Sequence, residues 1–170
     1  MENILIILQN KTEKNTSLIN DCFSLIKTKG AQITFSSMVQ IPFKYPIDSE
    51  AKELQKNFEK SEHLLKTFES NLNQIKIPDS RMNGLIYKVR DYFSGIIELS
   101  KETNSDFIIL PKILFENFSD PKGSDLDNET VTFRGVEGIN NLVLNFSSSL
   151  LLWEEGSWYE CVSRWFKNYN

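Results

Sequence analysis

The segment from Arg90 to Lys112, RDYFSGIIELSKETNSDFIILPK, constrains the fold more than any other part of this chain. Asp91 is placed to cap a helix whose apolar face carries Tyr92, Phe93, Ile96, Ile97 and Leu99. Asn104-Ser105-Asp106 is a turn signal, and Phe107-Ile108-Ile109-Leu110 is an unbroken apolar run stopped by Pro111. A helix that feeds such a strand points to a parallel α/β sheet, in which a ligand sits just past the carboxyl ends of the strands. At that place the chain offers Lys112, Ile113, Leu114 and Phe115, and no glycine-rich phosphate loop follows.

The rest of the chain reads in the same alternation. Ile4 to Leu8 is a short β-branched run suited to a strand buried on both faces. Thr16 or Ser17 can cap a helix that turns Leu18, Ile19, Cys22, Phe23, Leu25 and Ile26 inward, and Gly30 ends it. Ile33 to Val39 alternates as a second strand, and the prolines of IPFKYP exclude a helix or central strand over 41–46. Asp48 or Ser49 opens a long helix with Leu54, Phe58, Ser61, Leu65, Phe68 and Leu72 on one face. Leu85 to Val89 is a third strand. Residues 116–130 form a polar, acidic loop, and 138–146 fits either a helix or a strand, with parallel connection rules favouring the helix. Leu150 to Trp153 is a fifth strand, and the C-terminal SWYECVSRWFKNYN reads as an aromatic helix. The expected fold is therefore α/β, a three-layer doubly wound sandwich on a mainly parallel five-stranded sheet. It covers residues 1–155, with 156–170 a helix packed on or extending the domain.

A length of 170 residues suits one compact domain. A formal net charge of −4, with no Lys/Arg cluster, argues against nucleic-acid binding. Cys22 and Cys161, far apart, make neither a disulfide framework nor a zinc site, and a reducing cytoplasm is the expected setting. No apolar run approaches the roughly 20 residues of a membrane helix. The N-terminus lacks a basic leader and reads as a strand.

Catalytic chemistry finds little to build on. His63 is the only histidine and lies mid-helix. Asp125 and Asp127 lack the glycine and distal glutamate of a calcium loop. Lys11, Glu13, Lys14 and Lys112 lie near the ligand end of the sheet but read first as solvated loop residues. Trp153, Trp158, Trp165 and Phe166 crowd the C-terminal segment and mark an interface if exposed.

The element order resembles the universal stress protein family over residues 1–155. The most specific likeness is Ser105-Asp106-Phe107-Ile108-Ile109, which is similar to the family's Ala-Asp-Leu-Ile-Val strand, and Gly135 to Trp153 looks like its last helix and strand. Nucleotide-binding members carry an aspartate at the end of strand one, against the adenosine end of the ligand. They also carry Gly-x-x-Gly, nine residues and Gly-Ser/Thr after strand four, around the phosphates. Here the first place holds Gln9 and Asn10. The second holds Gly135-Val136-Glu137-Gly138 and then Ser148-Ser149, without the further glycine. The resemblance thus implies a non-enzymatic domain without a cofactor, acting through homodimerisation or protein-partner docking. A nucleotide such as ATP or AMP would meet Gln9, Asn10, Lys112, Gly135 and Gly138. The alternatives it leaves are a nucleotide-binding stress sensor and a cytosolic regulatory domain of a membrane transporter.

Overall fold

Ile4 to Ile7 are buried on both faces because β1 (Asn3–Ile7) lies in the middle of the sheet. The computed structural model describes residues 2–28, 30–111, 148–154 and 157–160. The other elements are α1 (Thr12–Thr28), β2 (Gln32–Gln40), α2 (Lys52–Gln74), β3 (Met82–Val89), α3 (Tyr92–Glu102), β4 (Phe107–Pro111), β5 (Ser149–Glu154) and β6 (Ser157–Glu160). The strand order is β3-β2-β1-β4-β5-β6. The first five are parallel, as the alternation of helices and strands requires, and β6 runs antiparallel to β5.

Alternate residues of each strand sort the core into two layers. Ile4, Ile6, Ile33, Phe35 and Ile109 pack under Leu18, Ile19 and Cys22 of α1 and Phe68 and Leu72 of α2. The Phe35 and Phe68 rings lie 5.0 Å apart between centroids. Leu5, Ile7, Met38, Val89, Ile108 and Leu110 pack on the other face, with Ile96 and Leu99 of α3. Gly95 permits that approach, because a Cβ there would overlap Val89 Cγ1.

The helix-turn-strand unit forms as its sequence specifies. Asp91 caps α3, its Oδ1 accepting from the Ser94 amide at 2.9 Å. Asn104 takes the left-handed conformation at φ 46° and turns the chain. Asp106 then registers three strands at their amino ends. Its Oδ2 accepts from the Asn3 amide at 2.8 Å, its own amide donates to Asn3 O at 2.8 Å, and its carbonyl accepts from Ser149 N at 2.9 Å. Across the same end of the sheet, Arg81 donates to Ala31 O and Ile26 O, both at 2.8 Å, and so secures the end of α1, where Gly30 has φ 61°.

Three expectations change. α1 begins at Thr12, before Thr16 and Ser17, because the polar residues there serve the helix: Thr16 Oγ1 donates back to Thr12 O at 3.1 Å. α2 begins at Lys52, with Ser49 just outside it accepting from Ala51 N at 3.2 Å. Ser157 to Glu160 is strand rather than helix. The spacing of its apolar residues suited a helix, but β5 offers an unpaired edge, and Trp153 and Trp158 come into register across it. The helix-or-strand question at 138–146 lies outside the described residues.

Phe68 is 1% exposed between α2 and the sheet, whereas Phe43 is 87% exposed. Phe68→Ala is expected to cost about 3–5 kcal/mol in urea unfolding, and Phe43→Ala within about 0.5 kcal/mol.

Candidate functional site

The carboxyl ends of β1 and β2 carry the site, and two side chains shape it. Asn15, 2% exposed on α1, reaches back to the end of β1. Its Oδ1 accepts from Gln9 N at 2.9 Å and its Nδ2 donates to Gln9 O at 2.8 Å. The carboxamide thus satisfies both backbone groups of a residue that has left the sheet. Leu8 N still donates to Ser36 O at 2.9 Å, so the chain leaves β1 in a fixed direction and delivers exposed Asn10 to the rim.

Arg90 does the equivalent work beyond β2. Its Nη1 donates to Ile41 O at 3.1 Å and to Pro42 O at 2.7 Å, and its guanidinium lies 5.3 Å from the Phe43 ring centroid. Gln40 Nε2 donates to Arg90 O at 2.9 Å, and Tyr45 N to Pro42 O at 3.0 Å. Two prolines and these bonds give the connection after β2 a single shape.

Between these loops and the first half of α2 lies a cleft of about 410 Å³. Val39 and Leu54, both buried, contribute its apolar lining. Asn10, Gln40, Tyr45, Asn57 and Tyr92 add amides and phenols. Lys44, Lys60 and Glu53 supply its charges, all three exposed to solvent. Lys44 Nζ stands 4.9 Å over the Tyr45 ring. Beneath the cleft, Ser37 Oγ donates to Ser61 Oγ at 2.8 Å, which lets a polar residue sit in the buried stripe of α2. Such a lining can hydrogen-bond a planar polar group, stack it and neutralise an anionic charge.

Of the residues singled out from sequence, Asn10 lines this cleft. Gln9 is 8% exposed, its backbone held by Asn15. Lys112, Gly135, Gly138, Trp165 and Phe166 lie outside the described residues, as does the side chain of Trp158. Trp153 packs into the chain's own core. It is 2% exposed in the layer with α1, and its Nε1 donates to Asp21 Oδ2 at 2.7 Å. A tryptophan on a strand buried on both faces needs one polar partner for its indole N–H, and α1 supplies it. Tyr45, Asn57 and Tyr92 were not anticipated. The IPFKYP segment gave a signal, since prolines flanking an aromatic-lysine run fix a loop at the ligand end of β2.

His63 is exposed on α2 and does not line the cleft. Burial, with a smaller contribution from Asp21, pushes the Cys22 thiol well above its ordinary range, so this cysteine is packing rather than a nucleophile. Among the described residues no group of His, Cys, Asp and Glu is placed to hold a metal, and no helix is long and apolar enough to cross a membrane.

No family model and no curated protein sequence matches the chain. Solved structures do match its fold. A universal stress protein in complex with cAMP superimposes with a TM-score of 0.61 at 9% identity, over 91% of this chain and 98% of that one. A universal stress protein family member from Burkholderia pseudomallei gives 0.58 at 13% identity, over 89% and 95%. One from Arabidopsis thaliana with AMP bound gives 0.52 at 11% identity, over 92% and 94%. The chain has the universal stress protein fold, and the resemblance read from its sequence stands at the level of fold.

Asn15→Ala strips both partners from the buried Gln9 backbone. It is expected to cost about 1–3 kcal/mol for each group left unpaired, seen as a lower urea midpoint and faster hydrogen exchange at Gln9. Asn15→Asp keeps the acceptor but sets a carboxylate oxygen against Gln9 O, and should rescue little of the loss.

Proposed function

We propose that this chain is a non-enzymatic, universal stress protein-like binding domain whose cleft takes an adenine mononucleotide rather than ATP. The observation that carries this reading is the cleft itself, fixed at the carboxyl ends of β1 and β2 by Asn15 and Arg90. Its amides from Asn10, Gln40 and Asn57 offer both donors and acceptors to a base edge and a ribose. Tyr45 and Tyr92 offer rings, and Lys44 and Lys60 offer charge for one phosphate. Solved structures of the same fold carry cAMP, AMP and dAMP. A triphosphate suits the chain less well, because Ser148 stands where the family's phosphate motif has its later glycine. Binding without turnover fits a cleft that neither His63 nor Cys22 lines.

A second reading, docking of a protein partner, is favoured by the β2–α2 connection. Phe43 and Ile47 are 87% and 42% exposed on it, and the Arg90 bonds hold Phe43 outward. A preorganised aromatic beside an arginine is the usual composition of a binding hot spot.

Calorimetric titration and thermal unfolding with AMP, cAMP and ATP separate these readings. One AMP per chain should bind and raise the melting temperature; a ligand at about 100 times its Kd adds roughly 2.7 kcal/mol. ATP should shift it less and should not be hydrolysed. No shift with any of the three at millimolar concentration removes the nucleotide reading and leaves the docking one.

A further inference from the structure

The two margins of the sheet differ. β6 covers the outer side of β5, whereas among the described residues β3 pairs with β2 alone. β3 is eight residues long and contains neither proline nor an added residue in its pairing with β2, and Lys88 is its single charged residue among the devices that usually blunt an edge.

Its backbone polarity is fixed. Val89 O accepts from Ile41 N at 2.8 Å, so Val89, and with it Tyr87 and Leu85, directs its main-chain groups toward β2. Gly84, Ile86 and Lys88 therefore direct theirs outward. The side chains alternate as well. Leu85 and Tyr87 pack on the α3 face, Ile86 packs on the α2 face, and Lys88 Nζ lies 5.3 Å over the Phe58 ring. Leu85, Ile86 and Tyr87 all remain half-buried within one chain. A groove of about 340 Å³ follows the same edge, with Phe58 and Ile86 in its lining between Glu50, Gln55, Glu62 and Lys88.

We propose that β3 pairs antiparallel with β3 of a second copy of this chain, about a two-fold axis through Ile86. The sequence of the strand is self-complementary in that register. Ile86 meets the second copy's Ile86 beside Phe58 of each molecule, which places aliphatic side chains along both grooves. Gly84 faces Lys88, and the missing side chain leaves the lysine room and no like charge. Leu85 faces Tyr87 on the α3 side, an aliphatic–aromatic cross-strand pair. The outward groups of Gly84, Ile86 and Lys88 then form roughly six main-chain hydrogen bonds. An axis midway between two residues would set outward groups against groups already bonded to β2, an axis at Tyr87 would put Lys88 against Ile86, and an axis at Lys88 stacks the lysine on its own copy. The continuous sheet buries what each edge leaves half-covered. This surface is independent of the cleft.

Cysteine cross-linking tests the register. Opposed residues of a hydrogen-bonded antiparallel pair have Cα atoms about 5.5 Å apart, within disulfide range. In a Cys161→Ser background, Ile86→Cys should oxidise to a covalent dimer. Asn83→Cys, about 20 Å from its counterpart in this register, should not. Buried Cys22 takes no part. The unmodified protein supplies the second measurement. Native mass spectrometry should show a dimer, and the amides of Gly84, Ile86 and Lys88 should be protected from exchange at high concentration and lose protection on dilution. A monomer at all concentrations, cross-linking at 83 equal to that at 86, or a dimer with those amides unprotected overturns the proposal.

Discussion

β1 is paired on both edges, with β2 along Asn3 to Ile7 and with β4 along Ile4 to Ile6, and covered on both faces. Every functional statement about the chain depends on that double pairing. It forces the strand to be short and wholly apolar, and it puts the chain's first exit from the sheet at the centre of the carboxyl edge. The exit would be expensive if Gln9 were left unpaired, since a buried amide and carbonyl both lose water there. Asn15 resolves this with one side chain that acts as a short piece of strand. The amino ends are registered as strictly, through Asp106, Asn3 and Ser149. The sheet is thus set from both ends before any loop contributes a ligand contact.

The connection after β2 is held at several points. Arg90 contacts two successive carbonyls of the connection after β2, and its own carbonyl is held by Gln40. Binding residues on such a frame lose little freedom on meeting a ligand. The same frame keeps Phe43 exposed, so the cleft and the aromatic loop are one built unit. At the far margin, β6 closes a side that a five-stranded sheet would leave open, and among the described strands β3 stands at the other margin.

The fold was legible in residues whose local chemistry admits one solution. Asp91 was placed to cap and does, Asn104 stood in a turn signal and turns, and Ile108 to Leu110 of the apolar run are buried. The cleft was half legible. Asn10 followed from its place after β1, whereas Tyr45, Asn57 and Tyr92 come from three elements that meet only in the folded chain. Asn15 escaped notice because its partner is backbone, which has no sequence signature. The strand at Ser157 was misread because its aromatic residues fall at helical spacing until the edge of β5 is placed beside them. Trp153, read in the fifth strand and as an interface residue only if exposed, is settled as buried by Asp21, a partner that sequence spacing does not reveal.

Amide chemical-shift mapping with AMP locates the ligand directly. Perturbations should cluster at Asn10, Gln40, Lys44, Tyr45, Asn57 and Tyr92, and leave the β3 amides at Gly84 and Ile86 unmoved. Saturable shifts that avoid the cleft, or none at millimolar AMP, would contradict a nucleotide site at the carboxyl ends of β1 and β2.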